Sequence, residues 1–571
     1  IWQDILGVAL VGRHDDFFDL GGHSLLIVQM LERLRQAGLS ADVRTVFTHP
    51  TLAQLAAVLA ATPGGAGGDT PAAAFTPPPN LIPADATAIT PGMLTLANLA
   101  QDEIDAIVRA VPGGAANVQD IYPLAPLQEG ILFHHLMSRE GDAYILPVLL
   151  QVDTPARREA FLAALQSIVD RHDILRTAIL REGLARPMQV VLRHARLPVE
   201  ILTLDPTRGA LAQMQERMAP QYSRMDLRQA PLVRVLSASS ASSSSQEGPH
   251  YLLLQLHHII SDHVSLEIVL QEVLATMNAP TGQPAMLPEP IPYRGFVAQA
   301  LSGSAQGRDQ AAEAFFRSRL GEVDEPTAPF DLLDVHGDGG QIEEARLMLD
   351  ATLARRLRLV ARQHRVSSAT LFHAALALLL AKTGGRDDIV FGSVLSGRLQ
   401  STAGADRMLG MFINTLPIRL NLQGLSVSEL IGQTHQELIE LLKYEQSSLA
   451  LAQRCSGLPA ATPLFTAMLN YRHSSAEGHQ GAGLNHVPGL QILASQERTN
   501  YPFTFNVDDL GDGYALVTQT DRRVPAARVN AYFTTALKSL ADALEQTPEA
   551  SLLALNILPE DERRRLLEGF R

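Results

Sequence analysis

Three short stretches hold residue types that could do chemistry. The first is Asp19-Leu-Gly-Gly-His-Ser24. Its two glycines free the backbone, and Ser24 then stands at the expected N-cap of a helix. The Ser24 hydroxyl is either a simple cap or the anchor of a phosphodiester. A helix start offers unpaired N–H groups and the positive end of the dipole, which suits phosphate. The second stretch is His257-His-Ile-Ile-Ser-Asp262, at the end of the apolar strand pattern Tyr251-Leu-Leu-Leu-Gln-Leu. Adjacent strand residues face opposite sides, so one histidine can line a cleft while the other packs; the alternatives are a metal pair and two satisfied core histidines. His258 is the expected working residue and His257 the packed one. A histidine in a cleft can hold an attacking group, accept its proton or stabilise a tetrahedral species. Metal binding is disfavoured, because adjacent strand residues diverge and cysteine ligands are missing. Asp262 falls in the turn before a helix. Its expected role is structural, paired with an arginine, with Arg398 the first choice and Arg176 the second. The third stretch is Phe133-His134-His135-Leu-Met-Ser-Arg-Glu-Gly141-Asp142. Taken alone, that histidine pair sits in an apolar helical pattern and reads as packing.

The elements that must position these residues can be outlined. Residues 1–61 read as a small helical unit, with Leu25, Val28, Leu31 and Leu34 at helical spacing and Gly38 as the stop. Four short helices around one core are the expected solution. Pro63–Pro83 is rich in Ala, Gly, Pro and Thr and reads as a mobile linker, within a connecting stretch 62–118 that carries one short amphipathic helix. Beyond residue 119, strands and helices alternate, as in α/β layers. Candidate strands are Leu146–Val152, Tyr251–His257, Ile389–Val394, Leu416–Leu420, Phe465–Asn470 and Tyr514–Thr518. Candidate helices include Arg158–Asp170, Leu266–Met277, Thr370–Leu380, Ser426–Leu442 and Val529–Leu544. Such a length outgrows a single core, so two lobes are expected, at 119–290 and 291–556. The run Ser237–Gln246 reads as a hairpin loop insertion. The charged stretch 557–571 reads as the beginning of a further module.

Composition excludes several classes. The chain has 571 residues, 46% of them hydrophobic and 19% charged, which argues against wholesale disorder. Its 46 basic and 60 acidic side chains leave a formal charge of −14, a poor match for nucleic acid. The apolar run Ala369–Ala381 is broken by His373 and is too short to span a bilayer. The single cysteine, Cys455, fits a reducing, cytoplasmic location. The chain starts at Ile1 with no signal peptide and reads as a segment cut from something longer.

Asp15-Asp-Phe-Phe-Asp-Leu-Gly-Gly-His-Ser-Leu resembles the signature of peptidyl carrier (thiolation) domains of non-ribosomal peptide synthetases. The resemblance implies 4′-phosphopantetheine carried on Ser24 and attached by a phosphopantetheinyl transferase. The His257–Asp262 motif is similar to that of condensation domains, which share their fold with chloramphenicol acetyltransferase. Further stretches in family order are Tyr122-Pro-Leu-Ala-Pro-Leu-Gln-Glu-Gly, Arg171-His-Asp-Ile-Leu-Arg-Thr, Tyr293-Arg-Gly-Phe, Ser396-Gly-Arg398, Met411-Phe-Ile-Asn-Thr-Leu-Pro and Pro463-Leu-Phe-Thr-Ala-Met-Leu-Asn-Tyr. The implied fold is a small four-helix-bundle carrier followed by a large α/β domain of two acetyltransferase-like lobes in a V around a tunnel. The implied reaction is peptide-bond formation between thioester-bound aminoacyl or peptidyl groups. Implied partners are an upstream adenylation domain and downstream adenylation and carrier domains. One departure stands out: His263 follows Asp262 where ordinary condensation domains usually have glycine. With His134-His135-Leu-x4-Gly-Asp, it resembles the dual epimerization/condensation subtype. That subtype implies inversion of the donor residue from L to D before condensation, with His258 as the first candidate base and His134 and His135 in support. The alternatives are a plain condensation domain taking a D-configured donor, a stand-alone epimerization domain, an inactive recruiting domain and a simple cargo shuttle.

Overall fold

Side-chain caps mark where many helices begin. Thr154, Asp262, Asp350, Ser367, Ser426 and Ser448 each accept a hydrogen bond from a first-turn N–H, satisfying donors that a helix start leaves unpaired. The computed structural model describes residues 1–22, 24–37, 39, 41, 43–61, 76–137, 141–239, 248–280, 283–302, 305–333, 342–398, 404–405, 407–459, 462–473, 488–496, 499 and 501–569.

The first unit contains helices Trp2–Leu6, Ser24–Gln36, Val43–Thr48 and Leu52–Ala61. They enclose Trp2, Phe17, Ile27, Met30, Leu34, Val46 and Leu55. The buried stripe of the second helix is therefore Ile27, Met30 and Leu34, with Leu31 only partly covered. Gly38, the expected stop, lies outside the described residues.

Residues 62–75 lie outside the described residues, but from 76 onward the chain is anchored. Ile82, Ile89, Leu94 and Leu99 join Ile104 and Ile107 of helix Gln101–Ala110 against a three-stranded sheet. That sheet runs in the order Val118–Pro123, Met188–Leu192, Thr177–Leu180. Asn80 donates to the Gln119 carbonyl at 2.8 Å, and Arg294 to Thr95 Oγ1 at 2.9 Å. Single aliphatic residues spaced through a Pro- and Ala-rich stretch were enough to dock it.

Two larger sheets follow. One has five strands, in the order Leu490–Ser495, Ile145–Val152, His250–His257, Val233–Ser239, Val199–Ile201. Helices Pro155–Arg171 and His263–Met277 pack on it through Phe161, Leu165, Ile168, Val269 and Val273. The other has six strands, in the order Asn414–Asn421, Asp388–Leu395, Ala467–His473, Phe503–Asp509, Tyr514–Asp521, Ile342–Met348. It is covered by helices Ala351–Gln363, Ser368–Gly384, Val427–Leu442 and Ala526–Gln546. Strands Val233–Ser239 and His250–His257 pair antiparallel as a hairpin, but Ser237–Ser239 belong to the strand rather than to the loop insertion. Residues 240–247 between them lie outside the described residues.

A cut at 290/291 does not separate the two bodies. Tyr293, Phe296 and Val297, with Met408, Met411 and Phe412, belong to the core of the five-stranded body. Leu490–Ser495 pairs antiparallel with Ile145–Val152, so late sequence completes an early sheet. The tail also docks rather than leaving. Glu562 accepts from Tyr532 Oη at 2.6 Å, and Ile557 is buried.

Candidate functional site

The strand His250–His257 ends at the first histidine of its motif, and the backbone then turns sharply. The Ile260 and Ser261 N–H groups donate back to the His257 and His258 carbonyls, and the His258 N–H donates to the Tyr144 carbonyl at 2.7 Å. Gln128 pins this turn from the side: its Nε2 donates to the Ile259 carbonyl at 2.8 Å, and it pairs with Gln189. This gives the buried glutamine of the Tyr122–Gly130 stretch a physical role.

His257 is fully buried. Its Nε2 lies 2.9 Å from Asp142 Oδ2, and its Nδ1 accepts the Ile259 N–H at 3.1 Å. An N–H aimed at Nδ1 requires the lone pair there, so the ring proton is on Nε2 and points at Asp142. His135, also buried, places Nδ1 2.6 Å from the same oxygen. The other Asp142 oxygen accepts the Tyr144 N–H at 2.9 Å. Burial alone would raise the Asp142 pKa, but the bonds from His135, His257 and Tyr144 outweigh it and hold the carboxyl well below its usual range. Burial lowers the pKa of His257, with Asp142 opposing it. Two histidines and a carboxylate are also a metal-ligand set by type. Here the lone pair of His257 Nδ1 is already taken and its Nε2 proton committed to Asp142, so the arrangement is a hydrogen-bonded brace. His134, on the same helix Pro126–Met137, is half-buried and stacks on the Tyr144 ring, centroids 5.8 Å apart.

Asp262 is fully buried and caps helix His263–Met277 by accepting from Ser265 N and Oγ, both at 2.8 Å. Arg398 Nη2 lies 2.9 and 3.0 Å from its two oxygens. Arg398 is itself buried and stacks over Phe412, 4.0 Å from the ring centroid, and donates to the Met408 carbonyl at 2.8 Å. Burial pushes the Asp262 pKa up; Arg398, then His263, outweigh that and leave it lowered. Gly397 permits the approach. Its φ is +66°, and a Cβ there would sit 1.8 Å from the Phe412 carbonyl oxygen.

Arg176 is not a partner of Asp262, which corrects the second-choice pairing. It reaches the Val169 carbonyl at 3.2 Å and Gln119 Oε1 at 2.8 Å, tying helix Pro155–Arg171 to the three-stranded sheet. Its position just before strand Thr177–Leu180 leaves it on that sheet's side of the body. Asp142 and Tyr144 are site residues that sequence reasoning left unassigned. Asp142 was visible as the last letter of the His-His…Gly-Asp spacing; Tyr144 carried no signal.

In the first unit, Gly21 has φ +96°, and a Cβ on Gly22 would lie 2.2 Å from the Phe17 ring. This tight turn delivers the chain to Ser24, the first residue of a 13-residue helix with no acidic residue in its first turn. An anionic phosphodiester suits that position. Asp19, in the same loop, accepts from Arg362 Nε at 2.8 Å. Arg44 lies 3.5 Å from Glu440, and Leu442 packs against the unit's core. Among the described residues, no single helix is long and apolar enough to cross a membrane.

A condensation-domain model matches residues 118–567, so the chain belongs to the condensation-domain family. A phosphopantetheine attachment site model matches residues 1–59, so a carrier taking covalent 4′-phosphopantetheine precedes it, the order found in non-ribosomal peptide synthetases. The chain is 44% identical over its whole length to Malpinin synthetase and to Malpibaldin synthetase of Mortierella alpina. It spans only 7% and 10% of those two proteins. It is 29% identical over 68% of its length to Tyrocidine synthase 2 of Brevibacillus parabrevis, spanning 11% of it. Among solved structures, the condensation domain from Monacolin K polyketide synthase MokA is similar in fold, with TM-score 0.60 and 18% identity over 76% of this chain and 100% of that one. The first condensation domain of the calcium-dependent antibiotic synthetase gives TM-score 0.59 and 17% identity over 77% and 100%.

Proposed function

We propose that this chain forms a peptide bond between two carrier-bound thioesters, the upstream one held on Ser24. The observation that carries this reading is the brace around His258, whose flanking backbone is fixed by Tyr144, Gln128 and the turn after His257. The acceptor α-amine attacks the donor thioester carbonyl, the C–S bond breaks, and the amine proton leaves with the thiol. A thioester is already activated, so the chain's task is placement. His258 holds or deprotonates the amine, and Asp262 with Arg398 fixes the turn that presents it. The 4′-phosphopantetheine arm supplies the thiol. In this reading the arms enter a tunnel between the two bodies, and a phosphopantetheinyl transferase and adenylation domains load the carriers, within the cytoplasm.

A finer proposal is that the donor residue is first inverted from L to D. A thioester acidifies its Cα–H, so a neutral histidine can remove that proton, and return of a proton to the opposite face completes inversion. Supporting this reading, His135 of the second histidine pair is joined to His257 of the first through Asp142, and His134 stacks on Tyr144 beside them. The test loads the donor in its L form, reacts it with an acceptor and determines product stereochemistry. A D-configured product supports inversion. An L-configured product, or reaction of a D-loaded donor alone, leaves a plain condensation domain. No product from either donor refutes the condensation reading.

A further inference from the structure

We propose that Asp142 is a positioning residue that braces both sides of His258; this rests on the reading that His258 serves the reaction. Two independent connections run from its carboxylate. Oδ2 takes the Nε2 proton of His257, which turns His257 Nδ1 toward the Ile259 N–H and so fixes the residue after His258. Oδ1 takes the Tyr144 N–H, and the carbonyl of the same Tyr144 receives the His258 N–H. One buried anion thus sets the peptide on each side of the working histidine. Its other partner, His135, anchors it to helix Pro126–Met137.

The segment is built to hold the carboxylate in place. Gly141 has φ +72°, and a Cβ there would lie 2.6 Å from the Pro220 carbonyl oxygen, which accepts the Asp142 N–H at 3.1 Å. Arg224 donates from Nη1 to the Gly141 carbonyl and from Nη2 to the His135 carbonyl, both at 3.1 Å, clamping the two ends of the motif together. His135, from the second histidine pair, and His257, from the first, thus meet on one oxygen of the Gly141-Asp142 motif.

Asparagine cannot replace this aspartate without loss. With its oxygen on the Tyr144 N–H, its amide N–H groups would face the N–H donors of His135 and His257. His135 can change tautomer to accept, but His257 cannot do so without losing the Ile259 N–H. The experiment uses the intact two-domain chain, with condensation kinetics and histidine-selective 15N NMR. In the wild type, His257 should be neutral with its proton on Nε2; an Nδ1–H or doubly protonated His257 at pH 7 would overturn the proposal whatever the variants do. Asp142→Asn should lower kcat at least tenfold with the acceptor KM nearly unchanged, and should shift the His257 resonances, while Asp142→Glu, which keeps both acceptors, should recover part of kcat. Equal losses for Asn and Glu, tracking lost thermal stability, would make Asp142 a packing residue only. Wild-type kcat in Asp142→Asn would refute the brace. His258→Ala is the separate control: full activity there would sink the functional reading and leave the tautomer measurement standing on its own.

Discussion

Replacing Asp262 with alanine should unfold or severely weaken the second domain, and the structure gives the size. The substitution removes the anion facing Arg398, which is 1% exposed and, among the described residues, is then left with carbonyls, Ser265 Oγ and the Phe412 ring. Stranding one member of a buried pair typically costs about 3–5 kcal/mol. The same change strips the cap from helix His263–Met277, a further cost of about 1 kcal/mol. Against a total stability of about 5–15 kcal/mol, this is a large fraction. The melting temperature should fall by on the order of five degrees, since the shift per kcal/mol shrinks with domain size. Calorimetry on wild type, Asp262→Ala, Arg398→Met and the double variant gives the answer. The double variant should be more stable than Asp262→Ala, because the stranded cation is gone. The pH dependence has a definite sign. A carboxylate with a lowered folded pKa stabilises above its unfolded value and loses that contribution as pH falls through the folded one, so this pair should be silent from neutral pH down to the ordinary carboxylate range and fail only in stronger acid. A wild-type melting temperature for Asp262→Ala would refute the reasoning.

Other outcomes follow from single features. Ser24→Ala should gain no mass on treatment with a phosphopantetheinyl transferase, whereas wild type should; a gain in the variant would move the attachment site. Gly22→Ala should impair that modification too, by driving a Cβ into Phe17, and equal modification rates would show that the turn relaxes cheaply. His134→Ala, which removes a half-buried ring stacked on Tyr144, should slow reaction of an L-loaded donor more than a D-loaded one; equal loss makes it structural. Burial pushes His373 down to about 4, with Nδ1 bonded to the Ala369 carbonyl and Nε2 to Ser393. As pH falls from about 6.5 towards 4, the unfolded chain takes a proton that the folded one refuses, costing on the order of 3 kcal/mol at full extent. Urea midpoints should therefore fall through this window in wild type more steeply than in His373→Gln, and parallel curves would discount the residue.

Legibility in the sequence followed locality. The strands and helices carrying His258, Asp262 and the sheet centres were visible because their apolar periods are strong and their caps lie within a few residues. Ser24 and its glycine turn were visible for the same reason. The Asp262 partner had to be chosen between Arg398 and Arg176, since a contact across 136 positions leaves no mark on local pattern. The joining of His135 to His257 was hidden in the same way: each lies in an apolar run that reads as packing, and only the fold brings Asp142 between them. The described end of the Pro-rich stretch, residues 76–83, runs against its composition, because a few isolated aliphatic residues suffice to dock a chain that looks solvated.

The strand Leu490–Ser495 bears on how such synthetases can be recombined. A graft that exchanged only the first body at its apparent sequence boundary would leave that body's sheet without an edge strand and expose the outer ladder of Ile145–Val152. The donor body would also arrive without Met408, Met411 and Phe412, which belong to its core. A functional exchange unit is therefore discontinuous in sequence. It carries residues near 408–412 and 490–495 along with the early segment, or it is the whole condensation domain.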